Sequence, residues 1–193
     1  MPRPAVMLRQ ASRLVSFDPQ AFPGIRVSGE LIWNSDGWLE LSYGILMTAS
    51  GGISDLVLPN GLFDGLQLGG ERRDELWTTT CCEAFIGLPG SERYWEINLS
   101  PNGDWAVYSF EGYRSSQRAQ ELSSAPQVRL RRWHHQVRLD ARLPLRPWWP
   151  AGVCPDLAMT AVLNLRTQGL SYWALRHGQD HPDFHLRSTF LQP

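Results

Sequence analysis

Residues 75–114 read ELWTTTCCEAFIGLPGSERYWEINLSPNGDWAVYSFEGYR, and this stretch decides the fold. Its segments PGSE at 89–92 and PNG at 101–103 have the composition of tight turns, because proline, glycine and asparagine favour the backbone angles of a chain reversal. The segments around these turns are rich in aromatic and β-branched residues, which is typical of strands. We therefore predict three antiparallel strands, over residues 81–88, 93–99 and 104–111.

The lengths of the two turns set the register of these strands. A four-residue first loop places Ile86 opposite Trp95 and Glu83 opposite Asn98. Because side chains alternate between the two faces of a strand, one face becomes apolar and the other mixed. A three-residue second loop adds Trp105 to the apolar face. The mixed face is predicted to hold Glu83, Phe85, Tyr94, Glu96, Asn98, Tyr108 and Phe110.

The rest of the chain continues this pattern of short strands and turns. Residues 135–143 give the clearest signal, because apolar and polar side chains alternate in strict order. The glycine-rich residues 49–73 predict a long loop with one short strand at 54–58, and residues 115–125 are compatible with a helix or a solvated connection. Further strands are predicted at 12–17, 25–34, 38–47, 127–133, 157–165, 170–176 and 184–190.

About ten to twelve short strands with regular turns and little helix are typical of a two-sheet antiparallel protein. The sequence has no internal repeat, which a propeller would require. It also lacks the helical periodicity that a fold of alternating strands and helices would require. We predict an all-β fold in a single domain over residues 1–193, an antiparallel two-sheet β-sandwich of the jelly-roll type.

Composition excludes several classes of function. A net charge of −1 over 193 residues gives no long-range attraction to nucleic acid or to an anionic membrane, so neither partner is expected. All 18 basic residues are arginine, which excludes Schiff-base chemistry and a phosphate-loop lysine. Three cysteines, two of them adjacent, do not predict a disulfide framework. Without a signal-peptide pattern or an apolar run of ~20 residues, the expected location is the cytoplasm.

Nine tryptophans are the main anomaly of the composition. An indole ring packs well against the C–H face of a sugar, while carboxylates and amides bind its hydroxyl groups. Trp77, before the central strands, and Trp173, in the penultimate predicted strand, are therefore candidate walls of a ligand site. Glu83 and Asn98 are the candidate polar groups. For any one tryptophan the alternative is simple burial in the core.

Glu83 and Glu96 also raise the possibility of catalysis, because they lie on neighbouring predicted strands. Paired carboxylates hydrolyse glycosides when they are about 5–5.5 Å or 6.5–9.5 Å apart. The predicted register makes the two residues diagonal neighbours rather than direct partners. A hydrogen-bonded or solvated pair is the alternative.

Five possible metal ligands fall within residues 177–185. Their spacing would suit one face of a helix, but Gly178 and Pro182 oppose a helix there. A loop could still wrap a metal with three of them, and ordinary loop polarity is the alternative. The candidate ligands are His177, Asp180, His181, Asp183 and His185.

The order and spacing of these motifs resemble the bacterial DOMON-like proteins, which are related to the family 9 carbohydrate-binding modules. The resemblance spans roughly residues 77–190. The motifs that carry it are LW at 76–77, CEAFI at 82–86, YWEINLSPNGDW at 94–105, FEGYR at 110–114, SYWAL at 171–175 and PDFH at 182–185.

The resemblance implies a jelly-roll β-sandwich that holds a terminal sugar between two tryptophans. Trp77 and Trp173 stand at the matching positions, Glu83 at the matching acidic position, and Arg114 is part of the pattern. Family 9 modules also carry structural calcium, but the sequence contains no complete set of oxygen ligands that we can assign to it.

Other DOMON relatives bind haem through a methionine and a histidine. Met47, His177 and His185 are the candidate haem ligands in this chain. The main prediction is nevertheless non-catalytic binding of a small carbohydrate or carbohydrate-like ligand in a tryptophan-walled cleft, without a required cofactor. A haem-binding redox module and a sugar-acting hydrolase that uses paired carboxylates are the alternatives.

Overall fold

The computed structural model describes residues 4–48, 52–59, 65–68 and 70–192. Within these ranges the protein consists of β-strands, turns and short 3₁₀-helices. The strands are β1 (Val6–Ser16), β2 (Ile25–Asn34), β3 (Trp38–Met47), β4 (Gly65–Leu68), β5 (Cys81–Gly87), β6 (Tyr94–Leu99), β7 (Trp105–Phe110), β8 (Arg118–Ala119), β9 (Gln127–Arg132), β10 (Gln136–Pro144), β11 (Asp156–Leu165) and β12 (Gly169–Ala174). The 3₁₀-helices are Gly52–Asp55, Leu76–Thr78 and Arg187–Thr189. No described helix is long and apolar enough to cross a membrane.

The described strands form one large antiparallel sheet in the order β4-β9-β10-β3-β2-β1-β12-β11-β5-β6-β7-β8. Strand β1 joins two halves of this sheet, the first running from β4 to β1 and the second from β12 to β8. Residues from Val6 to Leu14 pair with β2, whereas Val15 and Ser16 pair with Ala174 and Trp173 of β12. The all-β prediction is therefore confirmed. The finer prediction of a two-sheet sandwich of the jelly-roll type stays a prediction. In the described strands β1 pairs with both β2 and β12, so the hydrogen-bonded order is continuous.

The sheet curls so that side chains from both halves share one apolar core. Leu41 of β3 and Leu139 of β10 belong to the same buried cluster as Ile97 of β6. The halves approach closely at Gly29 of β2, where an added Cβ would lie only 2.7 Å from Cε of Met159 on β11. Burial of this apolar surface is the main stabilising contribution to such a fold.

A hydrogen bond also crosses the core. The Tyr43 hydroxyl of β3 donates to the backbone carbonyl of Glu83 on β5. Because a buried carbonyl and hydroxyl satisfy one another, this bond fixes the strand that carries the Glu83 side chain on its other face.

The predicted register of the central strands is confirmed. Ile86 pairs with Trp95 and Glu83 pairs with Asn98 across β5 and β6, and the predicted strands at 25–34 and 38–47 have the observed bounds. The adjacent Cys81 and Cys82 point to opposite faces, as strand geometry requires, and the described cysteines are free.

Some local predictions differ from the structure. Residues 52–55 form a 3₁₀-helix rather than a strand at 54–58, and residues 187–189 form one rather than a strand at 184–190. Residues 115–125, for which the sequence left a helix or a solvated connection open, form a mostly exposed connection that contains the short strand β8. Tertiary hydrogen bonds hold two of these segments, from the Ile53 N–H to the His134 carbonyl and from the Gln120 N–H to the Val107 carbonyl. The predicted loop at 49–73 lies partly outside the described residues, at 49–51, 60–64 and 69.

Candidate functional site

A pocket of about 550 Å³ lies on the outer face of the second half of the sheet. Its floor comes from five neighbouring strands, β12, β11, β5, β6 and β7. Four strand-to-strand intervals of about 4.8 Å make this floor roughly 19 Å wide along the sheet. The pocket is lined by Trp77, Thr78, Glu83, Phe85, Glu96, Phe110, Arg114, Gln117, Val162, Leu170, Tyr172, Pro182, Phe184 and His185.

Strand alternation places the floor residues. Glu83 and Phe85 face the pocket, whereas Cys82 and Ala84 face the main core. The same alternation places Glu96 in the pocket and its neighbours in the core. The mixed face predicted from the sequence is therefore the face on which the pocket is built.

Trp77 forms the wall at one edge of the pocket. It lies in the 3₁₀-helix Leu76–Thr78 just before β5 and is 36% exposed. Its ring packs edge-on against Tyr108, with centroids 6.1 Å apart. The Tyr108 hydroxyl in turn donates to Asp74 at 2.5 Å. These contacts hold the indole at the β7 side while much of its face stays open.

The opposite edge is made by Tyr172 of β12 and by Phe184, whose ring centroids are 6.2 Å apart. Phe184 is held by its neighbour Asp183, which is 4% exposed. Asp183 accepts hydrogen bonds from the Tyr113 hydroxyl at 2.6 Å and from Nη2 of Arg114 at 2.9 Å. Asp183 thereby fastens the C-terminal segment over the sheet.

Glu83 is the deepest carboxyl of the pocket, with 2% of its surface exposed. Oε2 accepts a hydrogen bond from the Thr160 hydroxyl of β11 at 3.0 Å. Burial raises the pKa of Glu83 to about 8, the nearby Glu96 carboxyl adds to this rise, and the Thr160 hydrogen bond opposes it. At neutral pH the Glu83 carboxyl is therefore mainly protonated.

Glu96 is the second buried carboxyl and is 6% exposed. Its Oε1 accepts a hydrogen bond from Nδ2 of Asn98 at 2.9 Å. Burial raises the pKa of Glu96, while the Asn98 hydrogen bond and the Arg114 guanidinium oppose the rise. Asn98 itself is fully buried, and its Oδ1 lies 3.8 Å from Sγ of Cys81.

His185 is neutral and bonds to Tyr94. The Tyr94 hydroxyl accepts the Arg114 backbone N–H at 3.1 Å and lies within hydrogen-bond distance of Nδ1 of His185, at 2.8 Å. Burial lowers the pKa of His185 to about 4, helped by Arg114 and opposed by Asp183. Nε2 of His185 lies 3.9 Å from Oε2 of Glu96.

The predicted site residues divide into three groups. Trp77, Glu83 and Arg114 line the pocket. Asn98 lies behind Glu96 and supports it. Trp173 is 2% exposed, belongs to the main core and packs against Phe22, with ring centroids 6.5 Å apart. The prediction that Trp173 forms a wall opposite Trp77 is therefore wrong.

The physical reason is the alternation of side chains in β12. Trp173 pairs with Ala161, a core residue, whereas Tyr172 pairs with Val162 on the outer face. The Trp173 indole N–H is satisfied inside the core by the Ser171 hydroxyl at 3.0 Å. Tyr172 is consequently the aromatic residue of β12 that reaches the pocket.

The five candidate metal ligands at 177–185 do not converge. Among the described residues, no group of three His, Cys, Asp or Glu side chains is arranged to hold a metal ion. His177 bonds the Val15 carbonyl at 3.0 Å, and His181 bonds Asp180 at 2.9 Å. Asp183 and His185 are engaged at the pocket as described above.

The three candidate haem ligands also lie apart. Met47 is buried in the main core, and His177 contacts β1 and the ring of Phe17. Only His185 lines the pocket. The structure therefore does not place Met47 and a histidine in the same cavity.

Sequence reasoning missed Tyr172 and Phe184 and gave Glu96 and His185 other roles. Glu96 could have been assigned to the ligand site, because it shares the predicted mixed face with Glu83. Tyr172 directly precedes Trp173, the predicted wall. Phe184 and His185 reach the pocket by long-range packing, for which the sequence contains no local signal.

No family model matches the chain, and no curated protein matches it significantly. Among solved structures, the fold is similar to that of a "putative carbohydrate-binding protein from Bacteroides uniformis ATCC 8492", solved as a crystal structure at 2.70 Å resolution. The alignment covers 94% of this chain and 84% of that chain, with a TM-score of 0.61 and 13% sequence identity. At this identity the likeness concerns the fold alone.

Proposed function

We propose that this protein binds a small carbohydrate or carbohydrate-like ligand without catalysing a reaction. The observation that carries the proposal is one pocket of about 550 Å³ that combines aromatic walls with two buried carboxyls on its floor. This volume is in the range of small-molecule sites. The structural neighbour is itself described as a carbohydrate-binding protein, which agrees with such a role. The resemblance to DOMON-like proteins and the jelly-roll sandwich are part of the same proposal.

Each type of side chain has a distinct task in this proposal. Trp77 at one edge and Tyr172 at the other present apolar ring surface to the C–H faces of the ligand. Glu83 offers its buried carboxyl group to a polar group of the ligand. Glu96 and Arg114 supply an acceptor and a donor for further hydroxyl groups.

Isothermal titration against a panel of mono- and disaccharides tests the proposal. We expect binding by wild type, and a loss of about tenfold or more in affinity in Trp77→Ala, because a buried aromatic contact commonly contributes more than 1 kcal/mol. Trp133→Ala is the matched control, since Trp133 is also exposed, at 50%, but does not line the pocket. Equal affinity in wild type and Trp77→Ala would reject the proposed site.

Hydrolysis of a glycoside is the second candidate function, because the pocket contains two interacting carboxyls. Glu83 and Glu96 are diagonal neighbours across β5 and β6, a position for which Cβ separations of roughly 7 Å are usual. A carboxyl whose pKa is near 8 has the protonation state of a general acid at neutral pH. Turnover of an aryl glycoside by wild type that disappears in Glu83→Gln would favour the hydrolase over the binding protein.

A further inference from the structure

The charges around the pocket do not balance. Arg114 is the cation among the lining residues, and its guanidinium is already paired with Asp183 at 2.9 Å. His185 is neutral, and its Nε2 lies 3.9 Å from the Glu96 carboxyl. Among the described residues, the Arg114 guanidinium acts on Glu96 as well as on its partner Asp183, whereas Glu83 has no cation of its own.

Each of these two carboxyls also has an oxygen left for a ligand. Oε2 of Glu83 accepts from Thr160, and Oε1 of Glu96 accepts from Asn98. Their remaining oxygens make no hydrogen bond to any described residue. A buried carboxylate without a partner is costly, and the fold avoids part of that cost by keeping one proton on the pair.

The surroundings of the carboxyls are aromatic. The rings of Phe85, Phe110, Tyr172 and Phe184 line the same pocket as Trp77. The negative faces of such rings attract cations, and this attraction strengthens when water is excluded. Aromatic rings beside an acidic floor are an environment for a positively charged group.

We propose that the ligand carries a protonated amine, as an amino sugar does, and that this amine binds between the free oxygens of Glu83 and Glu96. The inference rests on the proposed carbohydrate-binding function and specifies its ligand class. The sugar ring lies against the aromatic walls, and the ammonium group replaces the proton that the Glu83 carboxyl otherwise keeps. Binding then releases a proton from the Glu83 carboxyl to the buffer, while no covalent bond of the ligand changes.

Among the described residues, the charged and titratable groups around this position lie on identified elements, including Tyr108 of β7. Glu83 lies on β5 and Glu96 and Tyr94 lie on β6, with the Cys81 thiol behind Asn98. The C-terminal segment contributes His185 and Asp183, and Arg114 follows β7. Of these groups, the Glu83 and Glu96 carboxyls are the ones that a bound ammonium group would contact directly.

Titration calorimetry with glucosamine, N-acetylglucosamine and glucose tests the inference, because acetylation removes the charge of the amine and keeps the sugar ring. We expect glucosamine to bind wild type about tenfold or more tightly than either neutral sugar at pH 7. Glu96→Gln should reduce this preference to less than about twofold. Glu92→Gln, at an exposed position outside the pocket, is the control and should keep it.

Proton release gives a second measurement that needs no altered protein. The binding heat of glucosamine to wild type should differ between phosphate and Tris buffers, because the two buffers take up the released proton with different enthalpies. Glu83→Gln should abolish this difference. Buffer-independent heat for tightly bound glucosamine in wild type would contradict the replacement of the Glu83 proton.

The outcomes separate the inference from the function on which it rests. Neutral sugars that bind as tightly as glucosamine, or more tightly, would overturn the amine while leaving carbohydrate binding intact. Failure of all three sugars and of the wider saccharide panel would overturn both. Preference for glucosamine that is lost in Glu96→Gln supports both.

Discussion

The inner and outer faces of β5, β6 and β7 carry different chemistry on one backbone. Inward residues such as Ile97 are sealed in an apolar core, and outward residues such as Glu96 form the floor of a pocket. Neighbours along a strand therefore belong to different environments. The comparison teaches that stability and ligand binding can be altered separately in this protein, one sequence position at a time.

The largest expected contrast is between Trp173 and Tyr172, which are adjacent in β12 but face opposite sides. Trp173→Ala should lower the free energy of unfolding by about 3–5 kcal/mol, because it empties a large volume in the core. Tyr172→Ala, on the half-buried outer face, should lower it by only about 1 kcal/mol. Urea unfolding at pH 7 measures both. Similar losses would show that the two faces are not independent.

The C-terminal segment offers a second contrast, between Asp183 and Asp180. Asp183→Ala removes hydrogen bonds to Tyr113, Arg114 and the His185 backbone and should cost about 3 kcal/mol, at about 1 kcal/mol for each bond. Asp180→Ala removes a side chain that is 98% exposed and should leave the unfolding midpoint unchanged. Urea unfolding measures both variants. A free energy of unfolding that is unchanged in Asp183→Ala would contradict the role of Asp183 in holding the C-terminal segment on the sheet.

The outer face should also make stability depend on pH. The pKa of Glu83 is raised to about 8 in the folded protein, so the unfolded chain loses this proton first as pH rises. The lowered pKa of His185 acts in the opposite direction, but only between about 6.5 and 4. From pH 6.5 to 8 the free energy of unfolding should therefore fall by about 2 kcal/mol.

Glu83→Gln should remove most of this fall, because glutamine resembles the protonated carboxyl and does not titrate. Urea unfolding at pH 6.5, 7.25 and 8 measures the slope for wild type and variant. Glu92→Gln serves as the control at an exposed position and should keep the slope of wild type. A slope that survives in Glu83→Gln would assign the titration to another group.

The smallest expected effect concerns Thr160, which donates to Glu83. Thr160→Val keeps the shape of the side chain and should lower stability by less than about 1 kcal/mol. Because the lost hydrogen bond favoured the charged carboxylate, the pKa of Glu83 should rise further. An NMR titration of the Glu83 carboxyl carbon follows this shift. Thr167→Val, whose hydroxyl bonds Asp55 instead, should leave that titration unchanged.

The same comparison shows what the sequence could predict. The register of β5 and β6 was accessible, because two turns of defined composition fix which residues are opposite each other. The orientation of β12 was not accessible in the same way, since it depends on pairing with β11 and on which face of that pair meets the core. The prediction of Trp173 rested on residue type. Which side chain faces the pocket depends instead on pairing, because Trp173 pairs with the core residue Ala161 and Tyr172 with the outward Val162.

The C-terminal contribution to the site was beyond local reasoning for another reason. His185 reaches Tyr94, and Asp183 reaches Arg114, through contacts between segments that are distant along the chain. Residue spacing within 177–185 suggested a metal site because it was considered alone. In the folded protein those side chains bind partners contributed by β1, β6 and the residues after β7.

The double pairing of β1 has a consequence for biosynthesis. Val15 and Ser16 emerge from the ribosome early, but their partners Ala174 and Trp173 emerge near the end of synthesis. The first strand can pair with β2 at once, yet its last two positions wait for β12 before the sheet becomes continuous. Contacts between such distant segments slow folding. We therefore expect nascent chains that stop before β12 to expose the edge of β1 at Val15 and Ser16, and to depend on chaperones.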